Sequence, residues 1–157
     1  MSSDTRLRLF PASASAGPAA DGVDTGYWQG LREGELRLQQ CAACDRWWWG
    51  PRWMCGDCRA FELSWVAVDP VGTVYSWSRT RHPFIPELAA ELPYVTVLVE
   101  LPQAGNRRVL GLLADPVGAD DVRIGDPVRG VVQHPEGARW PALRWHRDVP
   151  AERERSR

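Results

Sequence analysis

At 157 residues, with 44% hydrophobic and 25% charged residues, the chain suits one domain, or a small domain with a metal-stapled module. Its net charge of −1 argues against a protein that tracks a phosphate backbone, which carries a clear basic excess. No apolar run is long enough to span a bilayer, and Met1 to Gly22 lacks an apolar signal segment, so a cytoplasmic protein with reduced thiols and no membrane contact is expected.

Residues 1–23 are rich in Pro, Ala, Ser and Gly, with almost no large apolar residue after Phe10. Such a stretch cannot offset its ordering entropy and is predicted to be a flexible arm. A short helix follows. Asp24 or Thr25 can cap it, Tyr27, Trp28 and Leu31 share one side, and Gly34 can end it. Leu36 and Leu38 then alternate with Arg37 and Gln39, the pattern of a strand.

Next come two tight cysteine pairs, Cys41-Ala-Ala-Cys44 and Cys55-Gly-Asp-Cys58. A CxxC turn puts both thiolates on one side of a knuckle, and two knuckles supply four sulfurs for a tetrahedral ion. Disulfides or a redox pair would need an oxidising compartment or a βαβ setting, and neither context is apparent. Zinc is expected, with iron as the alternative, and it is expected to be structural because four thiolates close the shell. Between the knuckles lies Trp47-Trp48-Trp49-Gly50-Pro51-Arg52-Trp53. In an extended segment neighbouring side chains point to opposite faces, so at least one tryptophan should be exposed or meet another surface. With Trp28, these residues are candidates for a partner interface; the other reading packs them locally around the ribbon.

From Ser64 onward the pattern is short strands with turn signals. Strands are predicted at 64–68, 73–82, 94–101, 107–114, 127–133 and 143–147, with a helical piece at 87–92 and a loop bearing one helical turn at 116–124. About five strands after the ribbon suggest a small Greek-key barrel of the OB type, with a five-stranded sandwich as the alternative. The predicted organisation is a flexible arm at 1–23, helix plus zinc ribbon at 24–66, OB-fold domain at 67–148 and polar tail at 149–157.

There is no nucleophile elbow, zincin motif, dinucleotide fingerprint or Walker loop. His82, His134 and His146 stand at strand ends beside proline or arginine, and the Asp120-Asp121 pair lies in a turn. No catalytic residues are therefore assigned. Arg79, Arg81 and His82 end one strand, and Arg107 and Arg108 open another; together they are candidates for a phosphate or nucleotide group, against ordinary exposed strand charge.

The order Tyr27-Trp28-x-Gly30-Leu31-x-x-Gly34-Glu35-Leu36, the two cysteine pairs with Gly50-Pro51 before the second, Gly72-Thr-Val-Tyr-Ser-Trp77, Leu92-Pro-Tyr-Val95 and Asp121-Val-Arg-Ile-Gly-Asp-Pro-Val128 add up to a resemblance. Over Gly26 to Arg147 the chain resembles the acyl-CoA-associated proteins that fuse a rubredoxin-like zinc ribbon to an OB fold. The resemblance implies a mainly β protein acting as an accessory subunit of a thiolase-like enzyme: a thiolase, an acyltransferase, or a retro-aldol lyase of lipid or steroid side-chain metabolism. It implies no turnover by the chain alone, a heterotetramer around a partner dimer, and a part in forming the partner's acyl-CoA site. A different class, a single-stranded nucleic-acid module, would use the same ribbon and barrel with aromatics stacked on bases. The absence of lysine and the balanced charge weigh against it.

Overall fold

The structure is a computed structural model and describes residues 7–11, 16–115 and 122–148. The predicted tail at 149–157 and most of the loop at 116–124, with Asp120 and Asp121, lie outside the described residues.

Helix α1 (Thr25–Arg32) forms where expected and buries Trp28 and Leu31. Asp24 occupies the cap position, yet its carboxylate is used elsewhere. One oxygen accepts from the Trp28 indole at 2.9 Å and the other from the Ala19 backbone N–H at 2.8 Å. Gly34 follows the helix at φ +80, the left-handed conformation that glycine adopts without a Cβ clash.

A three-stranded antiparallel sheet comes next, ordered β2–β1–β3, with β1 at Leu36–Cys41, β2 at Trp47–Trp48 and β3 at Leu63–Val68. The strand predicted at 64–68 straddles the expected boundary at 66 and belongs wholly to the ribbon sheet: it pairs with β1, from Leu36 opposite Val68 to Cys41 opposite Leu63. The reason is burial: Leu36, Leu38 and Val68 join one core that the isolated ribbon could not close.

The remaining strands are β4 (Val71–Thr80), β5 (Tyr94–Leu101), β6 (Arg107–Leu113), β7 (Pro127–Gln133) and β8 (Ala142–Arg147). They close a barrel in the order β4–β5–β6–β8–β7, the five-stranded architecture expected of an OB fold. Strand β5 is central. Its Val97, Val99 and Leu101 are fully buried, as period-two alternation requires. Trp145 fills the middle of the barrel, and Gly111 and Gly130 leave the space: a Cβ at Gly111 would stand 2.7 Å from the Trp145 ring. Gly72 serves a different contact, since a Cβ there would come within 2.3 Å of the Glu100 carbonyl oxygen.

The arm departs from its predicted flexibility at residues 7–11. Phe10 is buried in a satellite cluster with Leu88 and Tyr94. The Arg8 N–H donates to the Ala114 carbonyl at 2.7 Å, its side chain pairs with Glu91 at 3.1 Å, and Gln133 donates to its carbonyl at 3.0 Å. Composition underrates this segment because a single phenylalanine finds a preformed slot beside the barrel.

Candidate functional site

The two cysteine knuckles are built alike. The Cys41 N–H donates to the Arg46 carbonyl and its carbonyl accepts from Asp45; Cys55 does the same with Ala60 and Arg59. Asp45 and Arg59 hold equivalent positions at φ 57 and φ 64. Strands β1 and β2 present the first knuckle, and the loop ahead of β3 presents the second.

The geometry suits one metal ion. All four Sγ atoms lie within 4.8 Å of one another, with Cys41–Cys58 at 3.6 Å and Cys44–Cys55 at 3.7 Å. A tetrahedral ion with Zn–S bonds of about 2.3 Å needs sulfurs about 3.8 Å apart. Cys41 and Cys55 are buried, while Cys44 and Cys58 lie nearer solvent. The backbone N–H of Cys58, opposed by burial and aided by that of Asp57, lowers the pKa of the Cys55 thiol, whereas the pKa values of the Cys44 and Cys58 thiols, bonded to their neighbours in the cluster, are raised. A bound zinc would crosslink the two knuckles. Four thiolates leave no coordination position for substrate.

The tryptophans divide. Trp28 is in the main core, edge-on to Tyr27 and Trp140. Trp47 packs against that core and over Gly105, and Trp49 turns back onto Tyr27. Strand β2 is only two residues long, and Gly50 at φ +86 bends the chain just beyond Trp49. Alternation along this segment turns Trp47 and Trp49 to the side of the core and Trp48 to the other. Trp28 is thus committed inside the chain, while Trp47 and Trp49 pack on the core with part of each ring left open. Trp48 is half-buried under two arginines. Trp53 is 61% exposed and, with Met54 and Phe61, leaves an apolar edge on the ribbon. Beside it a cleft of about 350 Å³ opens between α1 and the ribbon, with Gln29, Gln39, Trp53, Phe61 and Trp65 in its walls.

The predicted cationic cluster does not assemble. Arg79 stands opposite Val95 and Arg107 opposite Leu101. Those partners are at the two ends of β5, about 20 Å apart at the strand rise per residue. Arg81 and His82 continue from the Arg79 end into an exposed loop where His82 meets the Phe84 ring at 5.1 Å. Phe84 is 78% exposed and Ile85 lies beside it. Arg108 is engaged locally, paired with Glu100 at 2.9 Å and stacked on Tyr75 at 3.4 Å. Arg107 instead lies 5.1 Å from the centre of the Trp48 ring, and Arg52 lies 3.9 Å from the same centre. Sequence reading missed Arg52. It also missed Gln39, whose amide bonds both the N–H and the carbonyl of Arg52 at 3.0 Å. No local pattern marks either residue, because their proximity arises from the fold. Gly56, inside the second knuckle, did carry a signal of close approach: a Cβ there would stand 2.9 Å from the Trp48 ring.

Comparisons with known proteins agree with this layout. Residues 28–64 match the family model of the ChsH2 rubredoxin-like zinc ribbon domain, and residues 65–133 match that of the ChsH2 C-terminal OB-fold domain. The chain is 36% identical over 106 residues to a protein of Thermomonospora curvata described as "Probable enoyl-CoA hydratase alpha subunit", covering 67% of this chain and 32% of that protein. The chain thus spans about a third of that curated relative. Among solved structures, a chain of the Ltp2-ChsH2(DUF35) aldolase is similar at 28% identity and a TM-score of 0.73, over 84% of this chain and 99% of that one. A DUF35-family protein of unknown function from Sulfolobus solfataricus shares the fold at 16% identity and a TM-score of 0.55, over 83% of this chain and 87% of that one. With the two models matching residues 28–133 in succession, the chain belongs to the ChsH2-type family, a rubredoxin-like zinc ribbon joined to an OB-fold domain.

Proposed function

We propose that this chain is a non-catalytic accessory subunit of a thiolase-like acyl-CoA enzyme, held in shape by one structural zinc. The observation that carries this reading is the similarity across 99% of a subunit of the Ltp2-ChsH2 aldolase, at 28% identity. The relative described as an enoyl-CoA hydratase subunit supports the same acyl-CoA chemistry. The committed thiolates fit a chain that supports a reaction without performing it. In this reading two copies flank a partner dimer, and the barrel helps shape the partner's acyl-CoA site. Docking falls to the side chains left open: Trp53, Met54 and Phe61 on the ribbon and Phe84 and Ile85 on the loop after β4. Large exposed apolar groups of this kind mark interfaces when they cluster. A nucleic-acid module has less support, since Trp28 is buried and Trp47 and Trp49 pack on the core, which leaves fewer rings for bases.

Co-expression with thiolase-like enzymes from the same cell tests the reading. A stable complex whose acyl-CoA turnover depends on this chain is expected, with no turnover by the chain alone. Failure to associate with any such enzyme, or ordinary turnover by the purified chain, overturns it.

A further inference from the structure

We infer that Arg52 and Arg107, laid on Trp48 from the ribbon and the barrel, form a clamp for a phosphate group at the seam between the two units. Both guanidiniums sit on one indole, at 3.9 Å and 5.1 Å from its centre. Neither has an acidic partner among the described residues: the one hydrogen bond of the Arg52 side chain is a long 3.4 Å contact to the Gly50 carbonyl, and the Arg107 Nε is buried with no acceptor. The Trp48 indole N–H is likewise buried without one. Neighbouring arginines differ. Arg108 is paired with Glu100 at 2.9 Å and Arg46 with Asp57 at 2.8 Å. Two cations gathered on one ring without a counter-charge favour an anion beside it.

The clamp is also fixed in place. Gln39 is 4% exposed and grips the Arg52 backbone through both amide atoms. Gly56 lets the Trp48 ring and the Arg52 guanidinium lie flat on the second knuckle, where a Cβ would stand 3.0 Å from Arg52 Nη1. Arg107 follows the tight turn of Gly105 and Asn106, at φ 60 and φ 57, and Trp47 packs over that turn. The planar fork of an arginine presents paired N–H groups that match phosphate oxygens. The chemistry fits a phosphate of coenzyme A or a free inorganic phosphate. The coenzyme as source rests on the proposed function; the anion site does not.

The test uses the full chain, zinc-loaded and 15N-labelled, without a partner enzyme. Coenzyme A, 3′-dephospho-coenzyme A and inorganic pyrophosphate are titrated while the Trp48 indole N–H and the arginine Nε–H resonances are followed. Saturable shifts confined to Trp48, Arg52 and Arg107 are expected. Arg52→Gln and Arg107→Gln should each weaken binding about tenfold, while Arg129→Gln leaves it unchanged. Arg107→Lys, which keeps the charge but not the fork, should give an intermediate affinity with zinc content intact, which separates loss of the site from loss of the fold. Tighter binding of coenzyme A than of its dephospho form identifies the 3′-phosphate. Equal binding of pyrophosphate and both coenzymes identifies the diphosphate as the recognised group. No shift at Trp48 with any of the three up to about 10 mM overturns the clamp. That result would leave complex formation with a thiolase-like enzyme untouched, and a missing partner would not affect this titration.

Discussion

At the residue scale, the chain depends on a few positions where chemistry or space admits no substitute. The cysteines are the first. Cys44→Ser leaves three sulfurs of the four that lie within 4.8 Å, and zinc affinity should fall by more than about 100-fold. Metal analysis of the purified variant reads this directly, and full zinc retention would contradict the four-thiolate centre. Gly72 is the second. A Cβ there would stand 2.3 Å from a backbone oxygen of the neighbouring strand, which has no side-chain freedom to yield. Gly72→Ala should therefore cost about 2–3 kcal/mol, measured by chemical denaturation of the zinc-loaded chain. The same contact explains why glycine opens the Gly72-Thr-Val-Tyr-Ser segment, just ahead of Thr73, where β4 begins to pair with β5 opposite Glu100. Tyr27 shows burial acting on titration. It lies in the aromatic cluster between α1 and the ribbon, and desolvation, partly opposed by Arg144, pushes its phenol up to about 12.

At the element scale, strands and loops borrow stability from one another. β3 belongs to the ribbon sheet by hydrogen bonding, yet its Val68 lies in the same core as Val74 of the barrel. Ribbon and barrel therefore share one apolar interior, and removal of the metal should be felt in both. Saturating zinc adds about 4 kcal/mol at a thousand times its dissociation constant, so chelation should lower the melting temperature of the entire chain in one transition. Separate melting of the barrel at an unchanged temperature would show two independent units. The segment at 7–11 makes the same point on a smaller scale. Phe10 plugs a slot formed by Leu88 and Tyr94, and Arg8 is bonded on both sides. Phe10→Ala should destabilise the barrel by about 3 kcal/mol and expose the Ala114 amide neighbourhood to hydrogen exchange. An unchanged denaturation midpoint would return this segment to the status of a loose arm.

At the scale of the whole molecule, the surface left open decides where a partner can sit. Single exposed apolar residues are ordinary, but Trp53 with Phe61, and Phe84 with Ile85, form two edges that no other described residue covers. Trp53→Ala and Phe84→Ala should weaken association with a thiolase-like enzyme by about 2 kcal/mol each if they anchor the contact, with zinc content and fold preserved. Equal affinity in both variants would move the interface elsewhere. Trp49→Ala is expected to behave differently, because its ring packs on Tyr27 and the core and its loss disturbs the ribbon itself.

The cysteine spacing and the alternating β-branched runs were sufficient to define a metal ribbon followed by a five-stranded barrel. Both are short-range patterns: a CxxC turn fixes two sulfurs by itself, and strand period two is written into neighbouring residues. Tyr94–Leu101 was legible to the residue for that reason. What the sequence alone could not decide was which distant side chains meet. Arg79 and Arg107 look equivalent along the chain, yet β5 holds their neighbours at opposite ends. Trp47, Trp48 and Trp49 look alike until the fold sets the first and third against the core and leaves the second to the arginines. Arg52 carries no signal until Gln39, Gly56 and Trp48 surround it. Contacts of this kind follow from strand register and chain closure, which are set by burial of the common core and not by any local run of residues.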